Sequence, residues 1–344
     1  MNRTLHSLIP LLAFAPLLLS ATASSAPERI NDARYGTPQR MVEVAPGRRL
    51  NIFCEGRGSP TVVFESGLGD ETSVWGFVQP TIAKRTRACS YDRAGIGFSD
   101  PATTAGTSAA IVADLHNLLK KAGIRPPYVL VGHSYGGMNA VLYADLYRSE
   151  VAGMVLVDPA HEDQARWQRS FYPHYDQDML EPALEIQRQC VAQSSKGFTP
   201  GTAIYQQCIG EPDRHYSDAI NAAHRALYLR PAFRRAYLSE MESIRGGASG
   251  EQVRAARRDF GDMPLIVLTR SPPTGPLPPG ETLALRAAAW KAWVDMHDNL
   301  ASRSKRGDNR MIAETGHYIQ FAQPEEVKRA IGDVLNETGR STKR

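Results

Sequence analysis

The chain moves between two hydrophobic rhythms. Short apolar or alternating runs predict strands at Thr61 to Glu65, Ala88 to Asp92, Val129 to Val131, Val151 to Val157, Pro264 to Leu268 and Arg310 to Ala313. Met41 to Val44 and Arg49 to Glu55 alternate as a hairpin around Ala45-Pro46-Gly47-Arg48. Val62 to Phe64, Val129 to Val131 and Pro264 to Leu268 are apolar throughout, as strands covered on both faces are. Between these runs the spacing changes to three and four. Ser108 to Ala122 sets Ile111, Leu115, Leu118 and Leu119 on one stripe, with Gly123 and Pro126-Pro127 to end it. Gly137 to Tyr147 repeats the spacing with Met138, Val141, Leu142 and Leu146, and Leu283 to Leu300 and Val327 to Leu335 supply later helices. Strand, helix and strand in this order make right-handed βαβ units, so the fold class is α/β with a mostly parallel sheet.

From His161 to about Phe260 that rhythm stops. Pro173, Pro182, Pro200, Pro212 and Pro231 divide the segment into short helices. Thirteen basic and thirteen acidic residues leave it neutral, and it is rich in aromatics from Trp167 to Tyr237. The reading is a core of residues 41–160 and 261–338 with a helical lid inserted at 161–260, its aromatics lining an apolar pocket. Most of those aromatics, taken singly, are expected to pack the insertion's own small core.

Met1 to Ala23 reads as a secretory signal peptide. Arg3 makes the n-region positive, Leu8 to Leu19 is apolar but short, and Ala21-Thr22-Ala23 is an A-x-A cleavage site. The protein is therefore expected to be exported, to a periplasm or to the medium, without stable membrane insertion after cleavage. Residues 24–40 are polar and read as a flexible lead-in. Removal of the leader takes one arginine and no acid, so the net charge falls from +4 to +3. That excess is too small to argue for nucleic acid as a partner.

The chemistry centres on Gly132-His133-Ser134-Tyr135-Gly136, which fits G-x-S-x-G between a strand and a helix. Such a turn holds a serine in a strained backbone and exposes its hydroxyl. The plainer reading is a serine that caps a helix. With this elbow, the Gly-His-x-Ile loop at Gly316-His317-Tyr318-Ile319 and the Ser66-Gly67-Leu68-Gly69 loop, the chain resembles the α/β-hydrolase superfamily, in its esterase-, lipase- and peptidase-like serine branch. The resemblance runs from about Met41 to Leu335. It implies an eight-stranded sheet flanked by helices, Ser134 as nucleophile and His317 as base. It implies backbone N–H groups of Leu68 and Tyr135 as the oxyanion hole. No cofactor or metal is needed for such acyl transfer. Dehalogenases and epoxide hydrolases of the superfamily are implied to use aspartate at the nucleophile position, so Ser134 argues against those activities. His133 is expected to point away from the serine, and Asp92 and Arg93 to form an ion pair in the scaffold.

The third member of a Ser-His-acid triad is less direct. The superfamily usually places the acid just after the strand that ends here at Leu268, and Thr269-Arg270-Ser271-Pro272-Pro273 contains none. Some members carry it one strand earlier, where this chain has Asp158. Glu281 is the weaker candidate, while Asp295 and Asp298 are expected to face solvent from a helix. The substrate is expected to be a small-molecule ester or amide, with an ester preferred. An aminopeptidase is the enzymatic rival and would need an amine-binding acid such as Glu162, Asp163, Glu181 or Glu185. A non-catalytic binding protein of the same fold is the other alternative.

Four cysteines in an exported chain suggest two disulfides. Cys190 and Cys208, isolated inside the insertion, are expected to pair. In the superfamily's sheet order the strands of Cys54 and Cys89 are neighbours, which allows their pairing; free buried thiols are the alternative. The spacing suits no zinc site. Oligomeric state is not legible.

Overall fold

The computed structural model describes residues 28–277 and 280–341; the expected signal peptide lies outside them. Eight strands form one sheet: β1 (Arg40–Ala45), β2 (Arg48–Glu55), β3 (Thr61–Glu65), β4 (Ala88–Tyr91), β5 (Tyr128–His133), β6 (Val151–Val157), β7 (Leu265–Thr269) and β8 (Gly307–Met311). Their spatial order is β1-β2-β4-β3-β5-β6-β7-β8. The β1–β2 and β2–β4 pairs are antiparallel, and every pair from β4 to β8 is parallel. The last strand starts three residues before its expected position. Its sequence, Gly-Asp-Asn-Arg-Met, has no apolar pattern, because an edge strand is placed by its ladder to β7 and not by burial.

Alternation in the central strands feeds two separate cores. Leu130, Met154, Leu156, Leu265 and Val267 pack on one face, while Val129, Val131, Val155, Val157, Ile266 and Leu268 pack on the other. Helices α2 (Ser108–Ala122) and α3 (Tyr135–Leu146) cover the first face, and α1 (Gln79–Ala83) and α12 (Pro324–Ser341) the second. Each of these buried side chains contributes roughly 1.5–3 kcal/mol, which fixes the strand ends where β5 and β6 release their loops.

Between β6 and β7 the chain inserts six helices: α4 (Gln164–Phe171), α5 (Glu181–Ser194), α6 (Ala203–Ile209), α7 (Asp218–Tyr228), α8 (Pro231–Arg245) and α9 (Ala248–Ala256). Pro182 and Pro231 open α5 and α8, where a missing N–H costs nothing. The remaining helices are α10 (Leu283–Ala301) and the short α11 (Ile319–Ala322).

Both cysteine pairs are bonded. Cys54–Cys89 crosses the β2–β4 ladder between directly opposed residues, and Cys190–Cys208 ties α5 to α6. The lead-in differs from expectation. From residue 28 onward it is packed: Ile30 and Tyr35 are buried with Phe53, Tyr216 and Ile220, and Ile30 pairs with Tyr216 of the insertion. Two large apolar side chains in an otherwise polar stretch were enough to dock it. Among the described residues, no helix is long and apolar enough to cross a membrane.

Candidate active site

Strand β5 delivers Ser134 at its carboxyl end, and α3 begins one residue later. Ser134 takes φ 53° and ψ −120°, a conformation that costs a non-glycine residue on the order of 1–3 kcal/mol. The surroundings enforce it. Ser134 N–H donates to Val157 O at 3.1 Å, and Ser134 O accepts from Ala160 N at 2.8 Å and Gly137 N at 2.9 Å. The flanking glycines permit the turn sterically. A Cβ on Gly132 would strike the Gly136 backbone, and one on Gly136 would overlap the carbonyls of Glu65 and Ser66. Ser134 makes no side-chain capping bond to α3, so the plain capping role does not describe it.

Asp158 follows β6 and is fully buried, also with positive φ, 41°. Its N–H donates to Leu268 O at 2.7 Å, so the last turn of β6 is clamped to β7. One carboxylate oxygen, Oδ2, lies 2.5 Å from His317 Nδ1 and 2.6 Å from Arg270 Nη1. Burial opposes ionisation of this carboxyl. The His317 hydrogen bond and the Arg270 charge outweigh that and hold it below the usual carboxylate range. His317 sits on the loop between β8 and α11. The other candidate acids are engaged elsewhere: Glu281 with Arg286 at 2.7 Å and the Tyr172 hydroxyl at 3.1 Å, Asp295 with Lys291, and Asp298 with Asn309.

Ser134 and His317 line one cavity of about 400 Å³. Leu68 and Ala160 from the core and Trp167, Tyr237 and Ile244 from the insertion are also in its wall. The wall is not the apolar one expected: Asp70, Gln164, Gln168, Arg245 and Arg270 share it. His133 also belongs to this wall. Its ring packs 4.7 Å from that of His317, and its Nε2 donates to the His317 carbonyl at 3.1 Å, which steadies the histidine loop. Among the described residues, no group of three or more His, Cys, Asp or Glu is arranged to hold a metal ion.

Residues 60–202 match the family model described as alpha/beta hydrolase fold. The chain has the α/β-hydrolase fold. An uncharacterized protein of Bacillus subtilis is 39% identical over 111 residues, 32% of this chain and 44% of that protein. The match thus spans less than half of that relative. A haloalkane dehalogenase loop variant from Bradyrhizobium elkanii superposes with a TM-score of 0.62 at 20% identity, covering 88% of this chain and 97% of the other. An N-acyl homoserine lactone degrading enzyme gives a TM-score of 0.55 at 17% identity, with 86% and 99% covered. At such identities the likeness is one of fold.

In this α/β-hydrolase fold the Ser66–Gly69 loop has a support that sequence reasoning missed. Arg93 donates to Ser66 O at 2.7 Å and to Gly67 O, and it pairs with Glu65 and Glu240. Glu240, on α8 of the insertion, also accepts from Gly69 N–H at 3.0 Å. The expected Asp92–Arg93 pair does not form. Asp92 instead accepts from Thr72 N, Phe98 N and Asn51, because burial between those loops presents it with N–H donors. The N–H groups of Leu68 and Tyr135 donate to no protein acceptor among the described residues. Arg270 was also missed, although its signal was present: a cation stands in the position after β7 that the superfamily usually gives to the acid.

His297, fully buried under this site, donates from Nε2 to Pro159 O at 3.0 Å and faces Thr269 Oγ1 through Nδ1 at 2.7 Å. His224, buried in α7, contacts Ser73 Oγ at 3.2 Å. Burial pushes both down to about 4 from 6.5. The unfolded chain therefore takes up these protons first. Their contribution to stability is complete above pH 6.5 and is lost as pH falls toward 4. Between pH 7 and pH 5 each histidine is expected to remove roughly 2 kcal/mol of stability. Urea unfolding at the two pH values measures this, with His297→Gln removing its own share of the pH slope. Equal stability at pH 7 and pH 5 would contradict the assignment.

Proposed function

We propose that the protein is an exported serine hydrolase that cleaves a carboxylic ester through an acyl-enzyme on Ser134. The observation that carries this reading is that His317, in the same cavity wall as the strained Ser134, is backed by the buried Asp158 at 2.5 Å. A serine hydroxyl needs a base, and the base needs a partner that fixes its tautomer. With Nδ1–H held by Asp158, the Nε2 lone pair of His317 is free to accept a proton. His317 takes the Ser134 proton as Oγ attacks the substrate carbonyl. The N–H groups of Leu68 and Tyr135 receive the charge that develops on oxygen, each contributing roughly 10²–10³-fold in rate. His317 then protonates the leaving alcohol, and water repeats the sequence on the acyl-enzyme.

The two disulfides support export, since they persist in oxidising compartments. The lactone-degrading structural neighbour is consistent with ester chemistry on this fold. The aminopeptidase alternative loses its proposed amine-binding acids to ion pairs: Glu162 with Arg257, Asp163 with Arg254, and Glu181 and Glu185 with Arg188. A binding-only role does not call for a strained serine beside a His–Asp pair. A fluorophosphonate probe tests the proposal on the purified protein. Stoichiometric labelling of Ser134, located by peptide mass mapping, is expected; an unlabelled folded protein would sink it.

A further inference from the structure

We infer that the substrate carries a carboxylate held by Arg245, an inference that rests on the serine-hydrolase reading and adds a substrate class to it. Arg245 is the last residue of α8 and lines the cavity that contains Ser134 and His317. It is half-buried. Among the described residues its guanidinium has no hydrogen bond, ion pair or ring contact. Its neighbours in the insertion are different. Arg254 pairs with Asp163 and Glu251, Arg257 with Glu162, Arg166 with Glu251 and Arg169 with Asp176. A guanidinium withdrawn from water without a counter-charge is unfavourable, and an anionic ligand removes the penalty. Its planar fork matches a carboxylate with two parallel hydrogen bonds.

The rest of the wall agrees. Trp167 Nε1, on α4, is a buried N–H donor without a hydrogen-bond partner in the same wall, and it can donate to a carboxylate; the unpartnered side-chain oxygens of Gln164 and Gln168 beside it are acceptors and call for a donor elsewhere on the ligand. Helix α4 packs on α8, so these groups and Arg245 form one polar side of the cavity. A purely hydrocarbon substrate would leave Arg245 and Trp167 Nε1 unsatisfied. Arg270 adds a second cation, although Asp158 already balances it. The wall's own carboxylate, Asp70, is half-buried; it accepts from the Tyr318 hydroxyl at 3.2 Å and lies 3.5 Å from His133 Nδ1, on the histidine-loop side. A ligand carboxylate is accordingly directed to the α4–α8 side.

The test compares matched esters on the full mature chain. On the acyl side, p-nitrophenyl monoadipate is paired with its neutral methyl ester; on the alcohol side, 4-carboxyphenyl acetate is paired with 4-(methoxycarbonyl)phenyl acetate. In at least one pair the anionic member is expected to have roughly 10- to 100-fold higher kcat/KM, measured per unit of intrinsic reactivity. Arg245→Gln is expected to abolish that preference, read as the ratio of kcat/KM for the anionic over the neutral member of each pair. Arg245→Lys keeps the charge without the fork, and should retain a reduced preference. If Arg245→Gln does not fold, the wild-type ratio and the Arg245→Lys ratio still decide. No anionic preference in either pair, or equal loss on both members in the variants, overturns the inference. Fluorophosphonate labelling separates the two levels. A labelled enzyme without anionic preference refutes the carboxylate alone, whereas absence of labelling refutes the serine-hydrolase reading beneath it.

Discussion

Replacing Ser134 by alanine is expected to lower kcat for ester hydrolysis by about 10⁴- to 10⁶-fold. The proposed nucleophile is lost entirely, and only water delivered to the bound ester by His317 remains. Folding should be unaffected or slightly improved. Ser134 occupies an unfavourable φ/ψ region that the strand and loop impose on whichever residue stands there, and its Oγ makes no capping bond. KM, where turnover is still measurable, should stay close to wild type. The measurement is steady-state hydrolysis of a p-nitrophenyl ester, with contaminating esterases excluded by active-site titration. Unchanged turnover in this variant would end the proposed mechanism.

The second large effect is expected from Asp158→Asn. The amide preserves shape but presents the wrong hydrogen-bonding groups to His317 Nδ1, so the imidazole is held in the wrong tautomer and its charged form is no longer stabilised. A fall of about 10⁴-fold in kcat with little change in KM is expected. The same substitution leaves Arg270 without its buried counter-ion at 2.6 Å, which adds charge repulsion against a protonated His317. Lowering the pH to 5 leaves Asp158 ionised, because its carboxyl is held below the usual carboxylate range. Near-normal kcat in Asp158→Asn, together with a large loss in Glu281→Gln, would transfer the role to Glu281. The Glu281–Arg286 pair makes that outcome the unexpected one.

What could be read from the sequence is what the chain encodes locally. The elbow is a five-residue pattern whose small residues are needed within the same turn, so Ser134 stood out. Asp158 was legible because the fold places strand ends in a known order, and a carboxylate directly after Val155-Leu156-Val157 occupies one of them. Arg93 and Glu240 could not be paired in the same way. They are 147 positions apart, and their contact depends on how α8 lies across the core. The polar character of the cavity was hidden for a related reason. Trp167 and Tyr237 suggested an apolar lining by composition, but which faces of α4 and α8 turn inward brings Gln164, Gln168 and Arg245 in with them. The packed lead-in was missed because Ile30 and Tyr35 acquire their burial from Tyr216 and Ile220, nearly two hundred residues away.

Glu240 belongs to the inserted helices, yet it holds the Gly67–Gly69 backbone of the core both directly and through Arg93. Exchanging residues 161–260 for the equivalent segment of another member would therefore do more than reshape the pocket. Unless the donor segment brings an acid to the place of Glu240, the chimera would leave Arg93 with Glu65 as its one carboxylate partner and Gly69 N–H without its acceptor, so the loop would lose the brace on its insertion side. Substrate preference and turnover are thus inherited together in this scaffold, and a graft would have to be chosen by compatibility with Arg93 before pocket shape is considered.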